Sequence, residues 1–222
     1  MRRSFVLILL AIVAVVAACS SSPSSSGVVA SDTTAVSTTA ASSTTSTTVL
    51  AGNVLASFPD AAAADAWVNV DDSVMGGVSD SRSTWTTEGG IGALAFEGVL
   101  STERNGGFSS TLGPIDRTIG QRAAGARALA VDATGDGRTY LLQLRGDGGQ
   151  RWIARFTPPP TSSATRVSTI AVDSFEAVTQ FLRPMPSSAP LDPSTINQIG
   201  VYVLDGQVGQ FRLVLVSVTA VR

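Results

Sequence analysis

Residues 67–110 read WVNVDDSVMGGVSDSRSTWTTEGGIGALAFEGVLSTERNGGFSS. Strand-like runs are punctuated by Gly-Gly pairs, among them Gly76-Gly77 and Gly106-Gly107, and the adjacent acids Asp71 and Asp72 stand just before the first of these. Glycine reaches backbone angles that other residues resist, so each pair marks a tight turn or a close strand approach. Loops of this kind also carry function more often than the elements they join.

Downstream the strand signal strengthens. Ala128 to Asp132 is an apolar run, Thr134 to Gly137 is turn-like, and Tyr140, Leu142 and Leu144 then alternate against Leu141, Gln143 and Arg145. This spacing predicts a hairpin around Gly135-Asp136-Gly137. Between Arg151 and Phe156 the residues Trp152, Ala154 and Phe156 share one face, and Arg151, Ile153 and Arg155 the other. The runs IGVYVLD and GQFRLVLVSVTAV bracket residues 206–209 and predict a second hairpin. The closing run is apolar on both sides of its alternation, which places it inside a sheet. One short helix is expected within residues 58–70, where Pro59 and Asp60 precede an alanine cluster. The stretch TPPPTSSAT at 157–165 reads as a surface loop. Many short strands with almost no helical period predict an all-β sandwich.

Composition removes most catalytic chemistry. The chain has 222 residues and no histidine, and its fifteen basic residues, set against seventeen acids, are all arginine. Ser-His-Asp, Ser-Lys and Cys-His catalysis are therefore impossible within this chain, as are a Schiff-base amine and a phosphate-loop lysine. The single cysteine, Cys19, excludes a disulfide or thiolate metal site in the folded domain. Arg2 and Arg3 precede FVLILLAIVAVVAA, the charged and apolar regions of an export leader, too short to favour a membrane span. Val16-Ala17-Ala18-Cys19 resembles the lipobox of bacterial lipoproteins, which implies cleavage after residues 1–18 and lipid on the Cys19 thiol. With the leader gone, thirteen arginines face seventeen acids, so the basic footprint of a nucleic-acid binder is missing. Residues 19–52 form a linker, about two-thirds Ser or Thr from Ser20 to Thr48, that buries too little apolar surface to order itself. Residues 53–222 suit one domain.

Three motifs in order name a family. Trp67-x3-Asp71-Asp72-Ser73-Val74-Met75-Gly76-Gly77-Val78-Ser79, then Phe96-x-Gly98-x-Leu100-Ser101, then Asn105-Gly106-Gly107-Phe108-x-Ser110 resemble the signature of the complex I intermediate-associated protein 30 family. Gly135-Asp136-Gly137-Arg138-Thr139-Tyr140 and Gly209-Gln210-Phe211-Arg212-Leu213 agree downstream. The resemblance implies a galactose-binding-like jelly-roll β-sandwich. It also implies a protein that binds partners and does no chemistry, since the best-known members are mitochondrial assembly factors for respiratory NADH:ubiquinone oxidoreductase. An exported lipoprotein lies across the membrane from the NADH-oxidising arm of the bacterial complex, so the expected role is a binding or assembly module at the cell envelope. Carbohydrate or cell-wall binding is the alternative, and a glycoside-acting enzyme the third reading.

The candidate site residues are few. Asp71 and Asp72 suit a Ca²⁺ site completed by backbone carbonyls, or else a turn in which both accept backbone N–H groups; the spacing matches no complete calcium loop. Asp71 with Glu97 or Glu103 is the one conceivable glycosidase pair. Arg145, Arg151 and Arg155, with Gln143, offer guanidinium forks for a carboxylate, phosphate or sugar hydroxyls, or else a solvated face with ion pairs. Trp85 and Trp152 have rings that suit sugar stacking, though alternation puts Trp152 with Phe156 in the core. Asn105 adds a polar group to the second glycine loop. Met75 and Phe108 read as core plugs, and Trp67 as a structural residue of the motif. No cofactor is expected. The expected partners are the membrane, through lipid on Cys19, and a protein or envelope glycan.

Overall fold

A computed structural model describes residues 53–163 and 166–222. The leader, Cys19 and the Ser/Thr-rich linker lie outside the described residues. Two antiparallel sheets face each other. The first runs β3 (Asp80–Glu88), β4 (Ile91–Leu100), β12 (Gly209–Val221), β6 (Ala128–Gly135) and β9 (Val167–Ala171), with β1 (Val54–Ser57) also paired to β12. The second runs β10 (Glu176–Val178), β8 (Arg151–Phe156), β7 (Tyr140–Gly146), β11 (Ile196–Val203), β5 (Ser109–Leu112) and β2 (Val68–Asp71).

The closing strand lies inside its sheet, as its two-sided apolarity requires. On one edge β12 pairs with β4 over Gly209 to Leu215 and with β1 from Ser217 to Thr219; on the other it pairs with β6. Phe211, Leu213 and Leu215 point into the core, and after a register shift next to Val216 so do Val218 and Ala220. Val214 and Val216 instead pack with Ala93 in a separate small cluster. From the second sheet Tyr140, Leu142, Leu144, Trp152, Phe156, Val201 and Val203 complete the core. Each fully buried leucine there contributes about 2 kcal/mol by leaving water.

Both expected hairpins are in fact arches between the sheets. β6 belongs to the first sheet and β7 to the second, and β11 and β12 are divided the same way. A strand that alternates in a hairpin alternates identically after crossing a sandwich, so the spacing could not separate the two. The arches hold each other. Asp136 in the first accepts from the Arg138 and Arg212 backbone N–H groups and the Tyr140 hydroxyl, while the Arg138 guanidinium donates to the carbonyls of Gln207, Val208 and Gln210 in the second.

Two helices decorate the sandwich. α1 (Ala61–Asp65) is the expected one, capped by Asp60, which accepts from Ala63 N at 2.9 Å. α2 (Thr118–Ala123) escapes sequence reading because six residues are too short to show a period. It is fastened by Asp116, which accepts from Thr118 N and Oγ1 and pairs with Arg122.

Candidate functional site

The two Gly-Gly loops meet on one carboxylate. Asp72 begins a single 3-10 turn (Asp72–Met75) after β2, and it is 0 % exposed. Its Oδ1 accepts from Ser79 N at 2.9 Å; its Oδ2 accepts from Ser79 Oγ at 2.5 Å, Gly107 N at 2.6 Å and Phe108 N at 3.3 Å. Burial by itself pushes this carboxyl up, but the donors from Ser79, Gly107 and Phe108 together outweigh it and hold the group below the usual aspartate value. The glycines divide the work in each pair. Gly76 and Gly107 take φ of +91° and +133°, where a side chain strains the backbone. Gly77 and Gly106 have no room: a Cβ would sit 2.3 Å and 2.4 Å from the Asp72 oxygens.

Asp71 plays a parallel part at the sheet edge. It accepts from Ser81 N at 2.9 Å and Ser81 Oγ at 2.5 Å, so β2 of one sheet is stitched to β3 of the other. Asn69 Nδ2 donates to the same Ser81 hydroxyl. N–H and O–H donors thus fill the two carboxylates considered for calcium, and among the described residues no group of three or more acids, cysteines or histidines is placed to hold a metal ion.

The loop turns its apolar residues outward, which corrects their assignment to the core. Asp72 takes the buried position of the turn, leaving Val74 69 % and Met75 61 % exposed, with Val78 exposed as well. Phe108 is only half-buried and packs on Tyr202, their ring centroids 6.4 Å apart. Trp67 is buried against Phe58. Asn105 is exposed at left-handed φ, +61°.

A second cluster occupies the outer face of the second sheet. Arg145 and Arg151 stand directly opposite each other on β7 and β8, and Gln198 of β11 is opposite Arg145. In the next row on the same face Gln143 lies between Ile153 and Gly200, and one row further Leu141 lies between Arg155 and Tyr202. Arg155 leaves the group, since its fork binds Asp205 at 2.9 and 3.2 Å. Tyr202 and Ser110 extend the face across β11 and β5. Burial pushes the Tyr202 phenol above its usual pKa, partly offset by the Ser110 hydroxyl, the Gln143 amide and the Arg151 guanidinium beside it. Tyr202 was legible in principle: it alternates with Val201 and Val203 and so must face out if they face in.

A model of the complex I intermediate-associated protein 30 family matches residues 56–215, nearly the whole of the folded part. The chain belongs to this family. No curated protein matches the chain. Solved structures similar to it include a family 11 carbohydrate-binding module from Clostridium thermocellum in complex with a β-1,3-1,4-mixed-linked tetrasaccharide, at 14 % identity and TM-score 0.48 over 70 % of this chain and 89 % of that one. An exo-β-agarase is similar at 10 % identity and TM-score 0.49, over 77 % of this chain and 25 % of that one. Similarity at this level transfers no ligand or activity.

The remaining candidates of this complex I intermediate-associated protein 30 domain fall apart in space. Glu97 sits on the outer side of the first sheet between Arg82 and Arg212, paired with both. Glu103 is exposed, and Asp71 is held by Ser81. Trp85 is exposed but donates its Nε1 to the Phe58 carbonyl at 3.0 Å; Trp152 is core, its Nε1 donating to Ala189 O at 3.2 Å.

Proposed function

We propose that this chain is a non-catalytic binding module, held at the cell envelope by lipid on Cys19, which grips a protein partner through the family loop at Val74, Met75 and Val78. The observation that carries the reading is the combination of exposed apolar side chains with a base locked by Asp72. Apolar groups held out in water on a rigid loop lose little conformational freedom when a partner covers them, so their burial goes largely into affinity. Family membership supports a partner-binding role, and the leader with its lipobox-like end supports the address.

The test is photo-crosslinking from Met75 of the anchored protein in its native membrane. A discrete protein adduct, absent from a Val74→Ser, Met75→Ser variant, is expected, and the absence of any adduct sinks the reading. Fatty-acid labelling should vanish in Cys19→Ala; label that persists removes the anchor. Recovery of a wall polymer in place of a protein favours the second reading, envelope glycan binding, for which the hydrogen-bond donors on the outer face of the second sheet speak.

A further inference from the structure

Six arginines of the sandwich are neutralised: Arg82 and Arg212 by Glu97, Arg122 by Asp116, Arg138 by Asp136, Arg155 by Asp205 and Arg166 by Asp132. Among the described residues Arg104, Arg117, Arg127, Arg183 and Arg222 form no ion pair, and neither do Arg145 and Arg151, which are set apart by their position. They are direct cross-strand neighbours, an arrangement in which like charges repel, and neither meets an acid among the described residues. Asp147, close in the chain, is engaged by Asn197 Nδ2 at 2.9 Å, and the Asp205 and Glu176 charges act on Arg155 instead. Among the described residues, the only side-chain hydrogen bond of Arg151 runs from Nη1 to Gly149 O at 3.3 Å.

Two buried donors beside this pair have no acceptor among the described residues. Arg145 Nε is shielded from solvent without a hydrogen-bond partner, and so is Nε2 of Gln143, a residue only 4 % exposed. The Gln143 amide stands near the Tyr202 hydroxyl without meeting hydrogen-bond geometry. Folding seldom leaves buried donors unmet, and two of them next to an uncompensated cation pair describe the complement of an anion. We propose that Arg145, Arg151, Gln143 and Tyr202 form a binding site for an oxyanion, either the carboxylate of an acidic sugar or a phosphate group. Guanidinium forks fit both, the amide adds a neutral donor, and the Tyr202 phenol stays protonated to donate. The site goes beyond the protein contact of Val74 and Met75. The two fail separately, since substitutions in that loop leave this face intact.

Isothermal titration of the full-length chain at low salt tests it, with trigalacturonate, neutral maltotriose and inorganic phosphate as probes. Binding of at least one anion is expected, with maltotriose silent, and affinity should fall at least tenfold in Arg151→Gln and in Arg145→Gln. Stronger trigalacturonate binding assigns the sugar carboxylate, and stronger phosphate binding the phosphate group. Both variants should melt at or above the wild-type temperature, because each relieves repulsion. Should either misfold, Tyr202→Phe keeps the ring and is expected to weaken binding several-fold. Silence from both anions, maltotriose binding as tight as trigalacturonate, or anion binding unchanged in the variants overturns the proposal.

Discussion

Asp72 is the residue on which the two glycine loops converge. Replacing it with alanine leaves the donors of Ser79, Gly107 and Phe108 buried without an acceptor, and a cost of about 3 kcal/mol is expected in denaturant unfolding. A drop below about 1 kcal/mol would show that water replaces the carboxylate freely. Gly77→Ala should also destabilise, since its Cβ has no place beside Asp72 Oδ1. The two losses share most of one cause, so in a double-mutant cycle Gly77→Ala should cost less once Asp72 is alanine. Strict additivity would locate the glycine requirement somewhere other than the carboxylate.

At the scale of elements, the arches decide the topology, and Asp136 fastens the first of them. Asp136→Ala removes acceptors for Arg212 N, Arg138 N and the Tyr140 hydroxyl at once. About 2 kcal/mol of stability should go with them, and hydrogen exchange should quicken at the Arg138 and Arg212 amides before the centre of β12. Exchange that quickens uniformly along β12 would mean the arch does not open by itself. The second sheet's outer face is likewise a product of pairing. Only the register of β7 with β8 brings Arg145 opposite Arg151, and only β11 beside β7 adds Tyr202.

For the whole molecule, the absence of histidine and lysine predicts an unusually flat response to pH. Asp72 and Asp116 are held below the usual aspartate value in the folded state; for Asp116 the Thr118 hydroxyl is the main cause, with Arg122 assisting against partial burial. A depressed carboxyl stabilises the fold above its unfolded value and loses that contribution as pH falls through the folded one, so acid unfolding should begin below about pH 4. Burial, with Asp136 nearby for Tyr140, raises both Tyr140 and Tyr202, whose neutral forms stabilise the fold until pH rises past the unfolded tyrosine value of about 10. Melting temperature should therefore hold level from about pH 5 to about pH 9 and fall on both sides. A slope of several degrees inside that window would contradict it.

The sequence by itself determined much of this protein. Alternation along β7, β8 and β12 sets which side chains enter a core, and composition removes histidine and lysine chemistry, because both follow from residue identity and a strand period of two. The VMGG and NGGF motifs carry the family, and Asp60 announces α1. Tertiary structure alone decided which strands share a sheet, since an arch and a hairpin leave the same alternation. It also decided that Asp72 and both glycine pairs form one clamp, that Met75 faces water, and that Arg155 finds an acid while Arg145 and Arg151 do not. Each of these depends on which distant segment stands opposite a given side chain, a relation that local spacing does not encode.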